Sequence, residues 1–380
     1  MIKSAYIHIP FCEHICHYCD FNKMFLKGQP VDEYLQLLKA EMELALAQSQ
    51  CEKLSTIYVG GGTPTSLNEK QLTFFTESIA DVLPFDREDV EFTFEANPGD
   101  LSKEKLLILK EAGVNRISFG VQSFQEHLLK AIGRTHKVED VYTSVEYARQ
   151  AGFENITIDL MYGLPGQTKQ DVMASIKQAL ELELPHISSY SLIVEPKTVF
   201  YNLLQKDKLY LPTQDTEAEM YEMLMDTMEE HGLRQYEISN FAKPGFESRH
   251  NLVYWNNEEY YGFGAGAHGY VNGERVSNHG PLKKYMEPLK QGELPRLSVH
   301  PVPKNERMEE EMFLGLRKTK GVSLERFRER YNQDAGDVFK DQIEELLERG
   351  LIECRDGFLS LTRKGKLLGN EVFQSFIGAG

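Results

Sequence analysis

Between residues 4 and about 192, short runs rich in β-branched residues alternate with longer stretches in which apolar residues return at helical spacing. The runs predict strands over 5–9, 56–59, 91–95, 116–119, 156–160 and 186–192. Between the first two, Val31, Leu35, Leu38, Met42 and Ala45 fall on one helical face, and Val138, Val141, Val145 and Ala148 repeat the pattern before the fifth. Six β-then-α units predict an α/β fold with a parallel sheet and outer helices, most simply a partial barrel. Polar or glycine-bearing segments follow the strands, namely Gly60-Gly61-Gly62-Thr63-Pro64-Thr65, Glu95-Ala96-Asn97-Pro98, Gly120-Val121-Gln122-Ser123-Phe124 and the stretch from Asp159 to Thr168. In a barrel they converge on one mouth at the C-terminal ends of the strands.

Beyond the barrel the pattern changes twice. A helix over 216–231, a polar loop and a glycine- and aromatic-rich stretch make up a less regular extension. Helices over 307–317, 324–331 and 338–349 then lead to a strand over 351–353, a turn at Asp356-Gly357, a strand over 358–361 and a last helix, an order that resembles a winged helix. The expected divisions are a core over 1–195, an extension over 196–300 and a C-terminal helical, winged-helix-like module over 301–380.

A chain of 380 residues, 41% of them hydrophobic, is long enough for a large core and a smaller second one. No apolar run reaches the roughly 18 residues of a membrane span, and a cysteine motif starting at Cys12 leaves little room for a signal peptide, so a cytoplasmic protein with reduced thiols is expected. The net charge of −16 disfavours nucleic acid as a partner. Asp341, Glu344, Glu345 and Glu348 outweigh Lys340 and Arg349 on the helix that would read DNA, which makes the last module a lid or a protein contact.

The chemistry starts at Cys12, Cys16 and Cys19, spaced C-x3-C-x2-C directly after the first strand. Three thiolates can hold three irons of a four-iron cluster and leave the remaining iron open to a ligand that is not protein. With His8, His14 and His17 nearby, a Cys3His zinc site is the alternative, although zinc sites usually draw ligand pairs from two separated segments. An odd trio is a poor disulfide framework. Adenosyl methionine fits the open iron, since its amine and carboxylate can chelate the metal with the sulfonium alongside. Around such a ligand Gly60 to Gly62 allow close backbone approach, Glu95, Gln122 and Asp159 can accept from hydroxyls or the amine, Arg134 can meet the carboxylate, and Tyr18 can stack on the adenine. Each has a plainer alternative as turn, helix cap, surface ion pair or packing.

The cysteine motif together with GGGTPT, GVQSF, GRTH and IDLMYGLPGQT resembles the radical S-adenosylmethionine family, in the branch that holds oxygen-independent coproporphyrinogen III dehydrogenase and the HemW-type haem chaperones. The resemblance spans nearly the whole chain. It implies a partial (β/α)6 radical SAM barrel, with a [4Fe-4S] cluster on Cys12, Cys16 and Cys19 and S-adenosylmethionine bound to its open iron; in that branch reductive cleavage of this ligand yields a 5′-deoxyadenosyl radical. Tyr6, Tyr18, Gly61, Gly62, Thr63, Glu95, Gln122, Arg134 and Asp159 are implied around that ligand. Within the branch, dehydrogenases continue the motif to a further cysteine where this chain has Phe21, and carry an N-terminal extension where this chain has eleven residues before Cys12. The segment His250-Asn251-Leu252-Val253-Tyr254-Trp255 matches instead the H-N-x-x-Y-W signature of the haem chaperones. His250 is thereby the leading candidate for haem attachment, with Asn251, Tyr254 and Trp255 beside it, and packing against the barrel as the alternative. The resemblance also implies haem transfer to an acceptor protein of the respiratory membrane, and a homodimer, with porphyrinogen dehydrogenase activity not expected. A formal G-x-G-x-x-G between Gly262 and Gly269 precedes strand and turn rather than a helix, which predicts a flexible loop lining the substrate cavity, with His268 a second candidate for haem. Cys51 and Cys354 stand alone, at a helix end and in a core strand.

Overall fold

A computed structural model describes residues 2–49, 51 and 53–379. Each of the six expected strands is present: β1 Ser4–Ile9, β2 Thr56–Gly61, β3 Glu91–Ala96, β4 Arg116–Gln122, β5 Asn155–Tyr162 and β6 His186–Ser191. They lie side by side in sequence order, all parallel. The extension adds three more to the same sheet: β7 Arg234–Glu237, β8 Asn240–Ala242 and β9 Tyr261–Phe263. β9 runs parallel to β1 at one edge, while β8 and β7 continue antiparallel beyond β6 at the other, giving the order β9-β1-β2-β3-β4-β5-β6-β8-β7.

Alternation along each strand divides the sheet into two chemically distinct faces. Ala5, Ile7, Ile9, Ile57, Val59, Phe92, Phe94, Ile117, Phe119, Ile156, Ile158 and Ile187 join the main hydrophobic core with Leu35, Leu38, Met42, Leu72, Phe75, Ile79, Leu106, Val141 and Val145 of the outer helices. The intervening positions are polar: Tyr6 and His8, Thr56 and Tyr58, Glu91, Thr93 and Glu95, Arg116 and Ser118, Thr157 and Asp159, His186 and Ser188. Parallel strands covered on both faces usually read as unbroken apolar runs. Here the inner face is polar because it encloses a site.

Helix starts follow local capping rules. Asn68 with Gln71, and Thr168 with Asp171, form capping boxes ahead of Glu69–Val82 and Lys169–Glu181. Helix Val31–Gln48 breaks its own apolar stripe at Glu41, which is buried and accepts from Gly264 N at 2.8 Å, Asn278 Nδ2 at 2.6 Å and Tyr285 Oη at 2.5 Å. The segment 262–269 expected to line a cavity is thus the end of β9, a turn clamped on Glu41 and Tyr34 and the start of a strand His268–Val271, with Ala265 and Ala267 buried and only His268 exposed.

The C-terminal module has its own core, including Met308, Met312, Phe327, Phe339, Leu346, Leu359 and Val372. Its helices Lys304–Gly315, Leu324–Tyr331 and Lys340–Glu348 surround a small antiparallel sheet in which Phe358–Leu361 pairs with Val322–Ser323 and Ile352–Arg355. Cys354 lies on the open face of that sheet and is exposed, so it is not a core residue. Arg326 and Arg330 share the buried Glu311 at 2.7 Å each and donate to the carbonyls of Asn256 (2.5 Å) and Asn257 (2.8 Å), which fixes the module to the extension.

Burial pushes the Glu41 carboxyl up to about 7 from 4.5, against the pull of Tyr285, Gly264 and Asn278 and of the more distant Arg296. Between those two values the folded state holds a proton that the unfolded state has released, so stability falls as pH rises through this window. The effect is on the order of 3 kcal/mol. Glu41→Gln is expected to flatten this part of the pH dependence, read as a smaller loss of melting temperature between pH 5 and pH 8 than in the parent protein.

Candidate cofactor site

The cysteine loop leaves β1 at Pro10 and is tied down on every side. Phe11–Cys12 pairs in parallel with Met24–Phe25, closing the loop on itself. His8 reaches the Asn22 carbonyl through Nε2 at 2.7 Å and Tyr6 Oη through Nδ1 at 3.0 Å. Asn22 donates to the carbonyls of Ala265 (2.7 Å) and Gly280 (3.0 Å). On the far side His17 N donates to the Ile132 carbonyl at 3.0 Å, His17 Nδ1 meets the Ala131 carbonyl at 3.0 Å, and Phe200 N donates to His17 O at 3.1 Å.

The glycines of the strand-end motifs make room for this loop. A Cβ on Gly61, whose φ is +113°, would stand 2.4 Å from the His8 ring, and one on Gly62 would stand 2.8 Å from the Pro10 and Phe11 backbone. One on Gly60 would strike the Glu95 carboxylate at 2.7 Å. In the GRTH segment Gly133 leaves space for the His17 ring, 2.9 Å from its missing Cβ, so that Arg134 can reach Tyr18 Oη at 3.0 Å and Asn97 Oδ1 at 2.5 Å. The expected role of Gly60 to Gly62, close backbone approach to a ligand, is therefore accompanied by one the sequence does not display: they seat the protein's own groups.

The loop and the ends of β2 to β6 enclose a cavity of about 420 Å³. Cys12, Cys16, Cys19, Tyr18, Gly61, Gly62, Thr63, Glu95, Gln122, Arg134 and Asp159 all line it. Asn97 of the expected strand-end segment lines it as well, as do Tyr58, Ser118 and Tyr190, which sequence reasoning missed and for which the polar alternation of the strands was the signal. Glu95 accepts from Tyr58 Oη at 2.7 Å and Gly61 N at 3.0 Å. Burial, with Asp159 adding to it, pushes its carboxyl up to about 7 although Tyr58 and Gly61 pull it down. Asp159 is likewise raised by burial and accepts from Ser118 Oγ at 3.3 Å. Gln122 holds φ at +66° beside a register shift in β4, a strained backbone at the cavity wall.

Tyr6 does not reach the cavity. It lies one layer below, its ring stacked 6.1 Å from that of Tyr58. The H-N-x-x-Y-W residues also lie away from the mouth, on the helix Arg249–Trp255 packed beneath Tyr58. His250 is buried, with Nδ1 2.8 Å from Thr56 Oγ1 and Nε2 2.8 Å from Tyr254 Oη. Burial, and Arg116 after it, lowers its pKa to about 3, so the ring is neutral and both nitrogens are engaged. Asn251 N donates to Ser248 Oγ at 3.3 Å, and the Trp255 ring lies 4.5 Å under the Arg317 guanidinium. Glu91 anchors the start of the helix, accepting from Arg249 N at 2.8 Å and His250 N at 2.9 Å.

The residues present suit an iron–sulfur cluster with a small polar ligand beside it. Three thiols share one cavity wall. Thr63 Oγ1 donates to Cys12 Sγ at 3.6 Å, the kind of second-layer contact that tunes a thiolate ligand. Arg134 Nε, beside the same wall, is buried without a partner.

A parallel α/β sheet with a three-cysteine loop at its strand ends defines a radical SAM protein, and the sequence model of the Radical SAM superfamily matches residues 6–179. That of the HemN C-terminal domain matches residues 302–368. The chain belongs to the HemW family. It is 58% identical to heme chaperone HemW of Bacillus subtilis over 99% of this chain and 100% of that one. The corresponding proteins of Lactococcus lactis and Escherichia coli are 48% and 35% identical, over 99% and 98% of this chain and 97% and 98% of theirs. Among solved structures, coproporphyrinogen III oxidase (HemN) of E. coli has the same fold, with a TM-score of 0.85 at 23% identity over 99% of this chain and 90% of that one.

Cys16→Ala is expected to abolish the four-iron absorption after anaerobic reconstitution, and retention of a full four-iron spectrum would show that the trio is not the ligand set. Gly61→Ala, which forces a Cβ against His8 at a left-handed backbone position, is expected to cost about 2 kcal/mol or more, measured by thermal unfolding.

Proposed function

We propose that this chain is a haem chaperone that binds haem and passes it to an acceptor protein, with a [4Fe-4S] cluster on Cys12, Cys16 and Cys19 and S-adenosylmethionine in the adjoining cavity. The observation that carries the reading is the 58% identity, end to end, with a protein named heme chaperone HemW. The cavity supports its cofactor part. Glu95 and Asp159 are acceptors for the hydroxyl and amine groups of the ligand, Arg134 is a cation beside Cys16 and Cys19, Gly61, Gly62, Thr63 and Gln122 form the wall, and Tyr18 lines it against Arg134. Tyr6 supports this set from the layer beneath. When bound, the cluster and the sulfonium supply one-electron chemistry, while the protein holds and shields them.

For haem, His250, Asn251, Tyr254 and Trp255 are the proposed segment. Ligation through His250 requires its bonds to Thr56 and Tyr254 to be exchanged for iron. No described helix is long and apolar enough to cross a membrane. A respiratory acceptor, a peripheral membrane contact and a homodimer are further parts of the proposal, and the acidic face of helix Lys340–Glu348 suits a protein contact better than nucleic acid. Porphyrinogen dehydrogenase activity is the competing reading. The likeness to coproporphyrinogen III oxidase is one of fold, and Phe21 replaces the further cysteine of the dehydrogenase pattern.

The test is anaerobic reconstitution followed by haem titration and a coproporphyrinogen III assay on the same preparation. Stoichiometric haem binding without turnover is the expected outcome; measured decarboxylation of coproporphyrinogen III would replace the chaperone with the dehydrogenase.

A further inference from the structure

The interior beneath the cavity contains a continuous relay of contacts that starts on the H-N-x-x-Y-W helix and ends on the cavity wall. His250 is fixed by hydrogen bonds at both nitrogens, to Thr56 at the start of β2 and to Tyr254 one helical turn on. Its ring stacks on that of Tyr58 with centroids 5.1 Å apart and planes 29° from parallel. Tyr58 in turn donates to Glu95 Oε1, and the other oxygen of Glu95 takes the amide of Gly61. Tyr58, Gly61 and Glu95 all face the cavity, whereas His250 does not. A carboxylate held by two donors points its remaining lone pairs in a fixed direction, and one of those donors is placed by the imidazole below it.

We propose that His250 is a positioning residue for the adenosyl methionine cavity: through Tyr58 it sets the orientation of Glu95, whether or not the same imidazole also meets haem. The inference rests on the reading that S-adenosylmethionine occupies this cavity. It assigns the signature helix to the floor of the cofactor site and makes Tyr58 the link between them. A side chain acting only as filler would leave the direction of the Glu95 lone pairs unchanged, because Gly61 and the closed space at Gly60 also confine that carboxylate.

The experiment uses the full-length protein with its cluster reconstituted. S-adenosylmethionine is titrated while the electron paramagnetic resonance of the reduced cluster is recorded for the parent, His250→Ala, His250→Gln and Tyr58→Phe, and haem is titrated separately. His250→Ala and Tyr58→Phe are each expected to weaken S-adenosylmethionine about tenfold and to diminish the spectral change it causes. His250→Gln, whose amide can bond Thr56 and Tyr254 together, is expected to recover to within about threefold of the parent. The double variant of His250→Ala with Tyr58→Phe should bind no more weakly than either single one, because both act through Glu95. Parent-like affinity and spectra in Tyr58→Phe overturn the inference, and this variant decides the matter if His250→Ala does not fold. Loss of haem binding in His250→Ala with parent-like cofactor spectra also overturns it, while leaving the chaperone reading in place. A parent protein whose cluster spectrum ignores S-adenosylmethionine removes the cofactor reading and the inference together.

Discussion

A polar sheet face closed off from water is stable only if nearly every group on it has a partner, and that requirement organises this molecule. Glu91, Glu95, Arg116, Asp159, His186 and His250 all lie inside the strand layer, far more ionisable chemistry than a core tolerates without pairing. Most of it is paired. His186 spans Thr157 and Tyr236, at 2.7 and 2.9 Å, just as His250 spans Thr56 and Tyr254. Buried atoms without a partner include Thr93 Oγ1, Arg116 Nε and Arg134 Nε, two of them guanidinium nitrogens on the inner face and at the cavity wall. The outer face, by contrast, is ordinary apolar packing of strands against helices, and it supplies the burial that offsets the cost of the inner one.

The cysteine loop depends on the same economy of space. Its thiols come from one short segment, yet its position is set by residues far along the chain: Gly61 under His8, Gly133 under His17, and Gly266 and Gly280 around Asn22. Four separate segments yield a Cβ so that one loop can lie flat over the strand ends. The motif glycines are therefore better understood as contacts of the loop than as turn makers, although Gly61 and Gly133 also hold positive φ.

Much of the architecture was legible because the strands are short, β-branched and separated by helical spacing; all six expected strands occur, with ends that differ by at most three residues. The three extension strands that complete the sheet were not read, since Tyr261–Phe263 and Asn240–Ala242 are too brief to show a period. Glu41 was not singled out inside the stripe Leu38, Met42 and Ala45, because its partners Gly264, Asn278 and Tyr285 lie on a turn, a strand and a helix more than two hundred positions away. The cavity residues carried over from the motifs lie together, with Tyr6 one layer down. His250 was legible as a signature and not as a location, because only the tertiary fold reveals that both its nitrogens are engaged beneath Tyr58.

The helix that carries His250 is held at its start by Glu91 of the barrel and at its end by Arg326 and Arg330 of the C-terminal module. This has a consequence for the order in which the protein is made. A chain emerging from the ribosome completes the cysteine loop and all six core strands while the carbonyls of Asn256 and Asn257 still lack the arginines that receive them. The floor of a cavity whose walls are written before residue 200 is thus finished only when residue 330 has appeared, and a nascent barrel passes through an interval with its walls built and its floor unsecured.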